Sequence, residues 1–95
     1  MKRAHWTPDA KADLAKIDDF YTEIALDYAD KVGDAAIAAA QFLLQFPYAG
    51  TSIDIDDVRK WRVRATPYIL IYRTQRDAVQ ILRIRHMAED WQNEP

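Results

Sequence analysis

Between Val58 and His86 the chain carries eight basic residues, Arg59, Lys60, Arg62, Arg64, Arg73, Arg76, Arg83 and Arg85, against one acid, Asp77. Seven of the eight are arginine, whose planar fork grips a carboxylate or a phosphate at two points. His86 closes the block. An imidazole beside guanidinium groups could move a proton at a phosphate while the arginines hold the developing charge, which would cut RNA without a metal. That reaction needs an acid and a base within hydrogen-bond reach of one phosphate. Without such geometry the same block is a docking face for an anionic macromolecule, or a set of solvated charges paired with acids elsewhere. The acids are segregated too. Residues 1–57 hold five basic against eleven acidic groups, a net −6, and residues 87–95 add three more acids, so a net charge of only −2 hides a strong internal asymmetry.

Other chemistries find no support. With no cysteine, disulfide scaffolds, thiolate zinc sites and cysteine nucleophiles are excluded, and a reducing compartment fits. There is no glycine-rich phosphate loop and no G-x-S-x-G turn, and the only histidines, His5 and His86, lie at opposite ends of the chain. Asp54, Asp56 and Asp57 lack the glycine and the distal glutamate of a calcium loop, and read as a solvated acidic turn. No metal and no cofactor are expected. Trp61, Tyr68 and Tyr72 stand beside the arginines, as base-stacking residues do, yet their strand partners are apolar, which makes them core. No apolar run approaches the roughly 20 residues that span a bilayer, and no export signal or anchor is visible, so a cytoplasmic location is expected.

Ninety-five residues allow one compact unit, residues 1–95, with a modest core. The elements that must position the arginines follow from periodicity. Ala4 and Trp6 alternate with Arg3 and His5 as a short first strand. Thr7-Pro8-Asp9 starts a helix: a hydroxyl to cap free amides, a proline suited to the first turn, a carboxylate at the positive end of the dipole. Ala10, Leu14, Ile17, Tyr21, Ile24 and Tyr28 then recur at three and four as an apolar stripe. Ala36, Ala39, Ala40, Leu43 and Phe46 form a second, narrower one in the alanine-rich run 34–45. A single rod from Pro8 to Phe46 would be about 58 Å long at 1.5 Å per residue, too long for this chain, so two helices are required, with the break anywhere from Glu23 to Gly33. Pro47 and Gly50 end the helical part, and residues 51–57 read as a polar loop.

Beyond it the period becomes two. Trp61, Val63 and Ala65 alternate with Lys60, Arg62 and Arg64, giving an apolar and a basic face. Tyr68–Tyr72 is apolar on both faces, as a central strand is, and residues 73–77 read as its connection to the last strand, 78–86. There the alternation groups Leu82, Ile84 and His86 on one face and Val79, Ile81, Arg83 and Arg85 on the other. The expected fold class is α+β: an N-terminal strand, a two-helix hairpin and a three-stranded antiparallel meander, forming one sheet with the helices on one face.

Taken in order, Trp6-Thr7-Pro8 with Ala10 and Asp13-Leu14, Phe46-Pro47-x-x-Gly50, Trp61-Arg62-Val63, Tyr68-Ile69-Leu70-Ile71-Tyr72-Arg73, Ile81-Leu82-Arg83-Ile84-Arg85-His86 and Asp90-Trp91 resemble the RelE/ParE superfamily of toxins from type II toxin-antitoxin pairs, closer to its ParE branch. The resemblance implies a helical hairpin on an antiparallel sheet, with the break near Ile24 to Leu26 and Gly33 inside the second helix. It also implies one of two activities. RelE-like members cut messenger RNA on the ribosome; ParE-like members are not nucleases and poison DNA gyrase. The arginine that RelE-like nucleases carry after the first tyrosine of the central strand corresponds here to Ile69, their last-strand arginine to Met87, and no tyrosine follows His86. An aliphatic side chain neither binds a phosphate oxygen nor stabilises negative charge. An isoelectric point near 5.6 suits a protein target better than ribosomal RNA.

The expectation is therefore a gyrase poison and not an enzyme, with a RelE-like ribonuclease as the alternative and a toxin-like domain without toxicity as a third. Met87 and Glu89 replace residues usual in ParE-like tails. A cognate antitoxin, ParD-like or similar, is implied in either active case. Its amphipathic segment would lie on the apolar helix and strand surface with its acids on the arginines. The residues expected to bind antitoxin or target are Arg62, Arg64, Arg73, Arg83, Arg85, His86 and Trp91.

Overall fold

The first turn of the first helix is built as its sequence signals require. Thr7 is the N-cap: its hydroxyl accepts from the Ala10 N–H at 3.1 Å, and Pro8 and Asp9 occupy the opening turn. The computed structural model describes residues 3–53 and 57–88. In chain order it has β1 (Arg3–Trp6), α1 (Pro8–Ile24), α2 (Leu26–Gln45), β2 (Thr51–Ser52), β3 (Val58–Arg62), β4 (Tyr68–Gln75) and β5 (Ala78–His86). One residue, Ala25, separates the helices. Its N–H closes α1 on the Tyr21 carbonyl, and its own carbonyl opens α2 by accepting from the N–H groups of Tyr28 and Ala29. The break thus falls where the family resemblance placed it. Gly33 lies inside α2, where an added Cβ would touch nothing within 4 Å, so no steric need holds a glycine there.

The five strands form one sheet in the order β1-β5-β4-β3-β2, with β1 parallel to β5 and every other pair antiparallel. Both faces of the central β4 are buried, as its composition requires. The expected meander is present, with three corrections. Thr51 and Ser52, read as loop, pair with Lys60 and Arg59 as a short edge strand, because a ladder can use polar residues where one side faces water. Arg73, Thr74 and Gln75, read as connection, continue β4 opposite Gln80, Val79 and Ala78, leaving only Arg76 and Asp77 as the turn. Finally, β3 starts and stops earlier than its alternation suggested. Val63 is still buried, but Ala65 is exposed in the turn with φ 63°, not on the core face.

Local irregularity also overturns the facing read for β5. The register shifts between Ile71 and Tyr72 of β4, so Ile81 faces Tyr72 while Arg83 faces Ile71, and Leu82 is the extra residue of a bulge. Ile84 therefore joins Val79 and Ile81 on the core face, whereas strict alternation put it opposite them, and Leu82 joins the other side with Arg83 and Arg85.

The main core lies between helices and sheet: Ala10, Val32, Ala39, Ala40 and Leu43 against Val63, Tyr68, Leu70, Tyr72, Val79, Ile81 and Ile84. Small residues on α2 let that helix approach the sheet. Two members of the expected stripes fall outside it, since Ile24 and Phe46 are exposed. In the last turns of α2, Phe42 stacks on Trp61 with centroids 5.2 Å apart. The loop from Pro47 to Gly50 is held by the buried Tyr72, whose hydroxyl donates to the Pro47 carbonyl at 2.8 Å and accepts from the Gly50 N–H at 2.9 Å. Gly50 is required here, because a Cβ would come within 2.5 Å of that hydroxyl and 2.6 Å of the Lys60 carbonyl. Burial pushes the Tyr72 hydroxyl above its ordinary 10.0, against the opposing pull of the Gly50 N–H and the Arg59 charge, so it stays a donor.

Candidate docking face

The helix-free side of the sheet has its own apolar cluster. Val58, Ile69 and Ile71 are buried there, with Ile53 and Leu82 packed against them. Basic side chains sit in register with this cluster: Arg62 and Arg85 oppose Ile69 from either side, Lys60 and Arg83 oppose Ile71, and Arg73 opposes Val58 and Gln80. Cross-strand partners share a face, so five cations are interleaved with aliphatic side chains on one surface. Arg62 and the turn residue Arg64 are exposed, while Arg73, Arg83 and Arg85 are half-buried. Arg73 is distinctive in that its Nε is buried without a hydrogen-bond partner. An unmade bond of this kind costs about 1–3 kcal/mol and is recovered when an anion arrives.

Arg83 is differently employed. β1 ends opposite Ile81, so the outer edge of β5 is bare from Leu82 onward, and α1 supplies the missing partners. The Thr7 hydroxyl donates to the Leu82 carbonyl at 2.9 Å, and the Ile84 N–H donates to Asp13 Oδ2 at 3.0 Å. Arg83 then grips the same carboxylate with Nε at 2.7 Å and Nη2 at 2.9 Å. Burial alone would raise the Asp13 carboxyl. The hydrogen bonds from Arg83 and from the Ile84 N–H, with the charges of Arg83 and Arg85, outweigh it and hold the carboxyl below its ordinary 3.8. Of the seven expected site residues, Arg83 is thus in large part a clamp between α1 and β5. The sequence held a trace of this in Asp13-Leu14, one of the fragments on which the resemblance rests.

His86 is on the other side. It pairs with Tyr68, whose ring it meets edge-on at 5.4 Å, and its Nδ1 accepts from the Ala88 N–H at 3.0 Å. The sheet therefore stands between the imidazole and the arginines of the cluster face. Arg59, another member of the basic block, also faces the helix side, where its Nη1 donates to the Gly50 carbonyl at 2.8 Å and its guanidinium lies 5.1 Å from the Tyr48 ring centroid. Ile69 is buried in the cluster and Met87 is exposed, and neither offers a phosphate a polar atom. Trp91, Asp54 and Asp56 lie outside the described residues. Among the described residues no three histidine, cysteine or acidic side chains gather at metal distance, and no helix is long and apolar enough to cross a membrane.

What sequence fragments suggested and the order of strands supports, comparison with known proteins decides. The sequence profile described as the ParE toxin of type II toxin-antitoxin system, parDE, matches residues 4–91. The chain belongs to the ParE toxin family. Among solved structures, a chain of the chromosomal ParDE toxin-antitoxin system from P. aeruginosa superimposes with a TM-score of 0.77 at 27% identity, over 90% of this chain and 96% of that one. No curated protein sequence matches. As a ParE-type toxin of a type II system, the protein carries its family motifs at structural joints: Thr7-Pro8 and Asp13 fasten α1 to β5, and Gly50 fits beneath Tyr72.

Proposed function

We propose that this ParE-family toxin poisons DNA gyrase in the cytoplasm and is neutralised by a cognate, ParD-like antitoxin that docks on the basic face of the sheet. The interleaving of Arg62, Arg73 and Arg85 with Ile69, Ile71 and Val58 carries the antitoxin part of this reading. Such a surface suits an amphipathic segment whose apolar residues meet the cluster and whose acids meet the guanidinium groups. The ParDE system to which the chain is structurally similar is a toxin-antitoxin pair.

Poisoning by binding, without catalysis by the toxin, is supported by the separation of His86 from Arg62, Arg73, Arg83 and Arg85 of the cluster face. A metal-free ribonuclease needs its proton-transfer group and its charge-stabilising groups around one phosphate, and here the sheet lies between them. The test is a gyrase supercoiling and cleavage-complex assay on the purified chain, with translation-dependent messenger cleavage run in parallel. Trapped DNA breaks are expected. Cut messages without trapped breaks would replace this reading with the ribonuclease, and normal growth on induced expression without the antitoxin would replace both with a domain that has lost toxicity.

A further inference from the structure

The junction of the two helices shows a surface that the fold does not use. Phe20, Ile24 and Leu26 are 61%, 66% and 58% exposed, three large apolar side chains within seven residues. Phe20 is braced from below. Phe20 meets Tyr21 edge-on at 4.9 Å, Tyr21 meets Tyr28 at 4.7 Å, and the Tyr21 and Tyr68 hydroxyls lie 3.3 Å apart, joining the tip to the sheet. In the same stretch, residues 18–34, Asp18, Asp19, Glu23, Asp27, Asp30 and Asp34 are all exposed, with Lys31 the one cation. Among the described residues none of these six carboxylates forms an ion pair.

Asp27, in the first turn of α2, meets the positive end of that helix, but the acids of α1 gain no such partner in the isolated chain. Asp18, Asp19 and Glu23 crowd toward the C-terminal end of α1, where the helix dipole is negative, and the last turn holds no basic residue to offset them. Phe20, Ile24 and Leu26 leave more than half of their surface in water and so gain little from burial. Apolar anchors inside a single-sign rim are the composition of an interface whose partner supplies the opposite charge.

We propose that the hairpin tip is the surface with which the toxin engages its target, by inserting Phe20, Ile24 and Leu26 into an apolar slot rimmed by cations. This deepens the gyrase reading and rests on it for the partner's charge. An enzyme that binds duplex DNA carries positive surfaces to neutralise phosphates. The acidic tip is complementary to them, whereas the arginine face of the sheet is repelled and is left to the acidic antitoxin. The two partners thus recognise opposite charges on opposite layers of one small domain.

Two variants test the tip: Phe20→Ala/Ile24→Ala/Leu26→Ala, which keeps helix-forming residues, and Asp19→Asn/Glu23→Gln. Gln41→Ala, at an exposed position in the C-terminal half of α2, serves as the control. Each is measured for thermal unfolding, growth arrest on induced expression, affinity for purified gyrase holoenzyme at low and high salt, and molecular size. The triple variant is expected to unfold as the wild type does, to lose growth arrest, and to bind gyrase at least about 30-fold more weakly, two such anchors being enough for that loss. The carboxylate variant is expected to bind several-fold more weakly with a shallower salt dependence, and it carries the test if the triple variant does not fold. The Gln41→Ala control keeps both activities.

Growth arrest and gyrase inhibition by the triple variant equal to wild type would overturn the tip and leave the gyrase reading standing. Tip-dependent arrest by a wild-type chain that leaves gyrase unaffected would keep the tip and overturn gyrase as the target. Loss of a homodimer with arrest unchanged would show that the tip serves self-association and overturn the proposal, as would a wild-type chain that arrests nothing.

Discussion

The edge of β5 and the tip of the helical hairpin treat their charges in opposite ways. At the edge, Asp13 accepts from one backbone N–H and from two nitrogens of Arg83, so its charge finishes a strand and ties two layers together. In the stretch that carries the tip, six exposed carboxylates have no such partners among the described residues, and the apolar side chains between them are mostly in water. The first arrangement converts charge into stability of the fold. The second forgoes stability, which is the physical mark of a surface shaped for something outside the chain.

That contrast is sharpest in thermodynamic measurements. The largest loss is expected at the loop clamp on the sheet side. Gly50→Ala places a methyl against the Tyr72 hydroxyl and the Lys60 backbone, of which the second cannot yield, and should cost about 3 kcal/mol, seen as a lower denaturant midpoint. Tyr72→Phe should cost about 1–2 kcal/mol by leaving the Gly50 N–H and the Pro47 carbonyl unpaired.

Next comes Asp13→Asn, expected to cost about 1–2 kcal/mol at pH 7, toward the low side because the Arg83 side chain is 36% exposed and solvent screens the pair. Its pH dependence has a fixed sign. The Asp13 carboxyl is lowered in the folded state, so its contribution is present above the ordinary 3.8 and is lost as pH falls through the folded-state value. Unfolding free energies from pH 7 down to pH 2 should therefore show a smaller acid-induced decline in Asp13→Asn than in wild type. A decline of equal size would remove the pair from the account of stability.

The smallest effects on stability belong to the docking surfaces. Arg62→Ala/Arg64→Ala and the tip triple variant should each stay within about 0.5 kcal/mol of wild type. The arginine pair should nonetheless weaken antitoxin binding and flatten its salt dependence, measured by titration at two ionic strengths. A tip variant that unfolds markedly earlier would break the comparison, since it would make Phe20, Ile24 and Leu26 structural.

Much of this organisation was legible in the residues. Thr7-Pro8-Asp9 started α1 where expected, the Tyr68–Tyr72 run gave a central strand, and the segregation of acids from arginines survived as a difference between layers. The failures have local causes. The helix break carries no glycine or proline, only Ala25, and propensity does not mark it. The bulge at Leu82 is invisible to a strict period of two, so Ile81 and Ile84 were assigned to opposite faces. Ile24 and Phe46 kept the helical spacing of core residues, but each lies at a helix end, past the sheet that would cover it.

Sequence alone determined the kinds of element, their order and the sign of charge each carries, because periodicity, capping and composition act over a few neighbouring residues. Only the tertiary structure decided that Arg83 belongs to Asp13, that His86 is walled off from Arg62 and Arg85, and that three apolar side chains at the hairpin tip stay largely exposed. Each of those depends on register and layering between segments distant in the chain, and no local pattern encodes a distance across the fold.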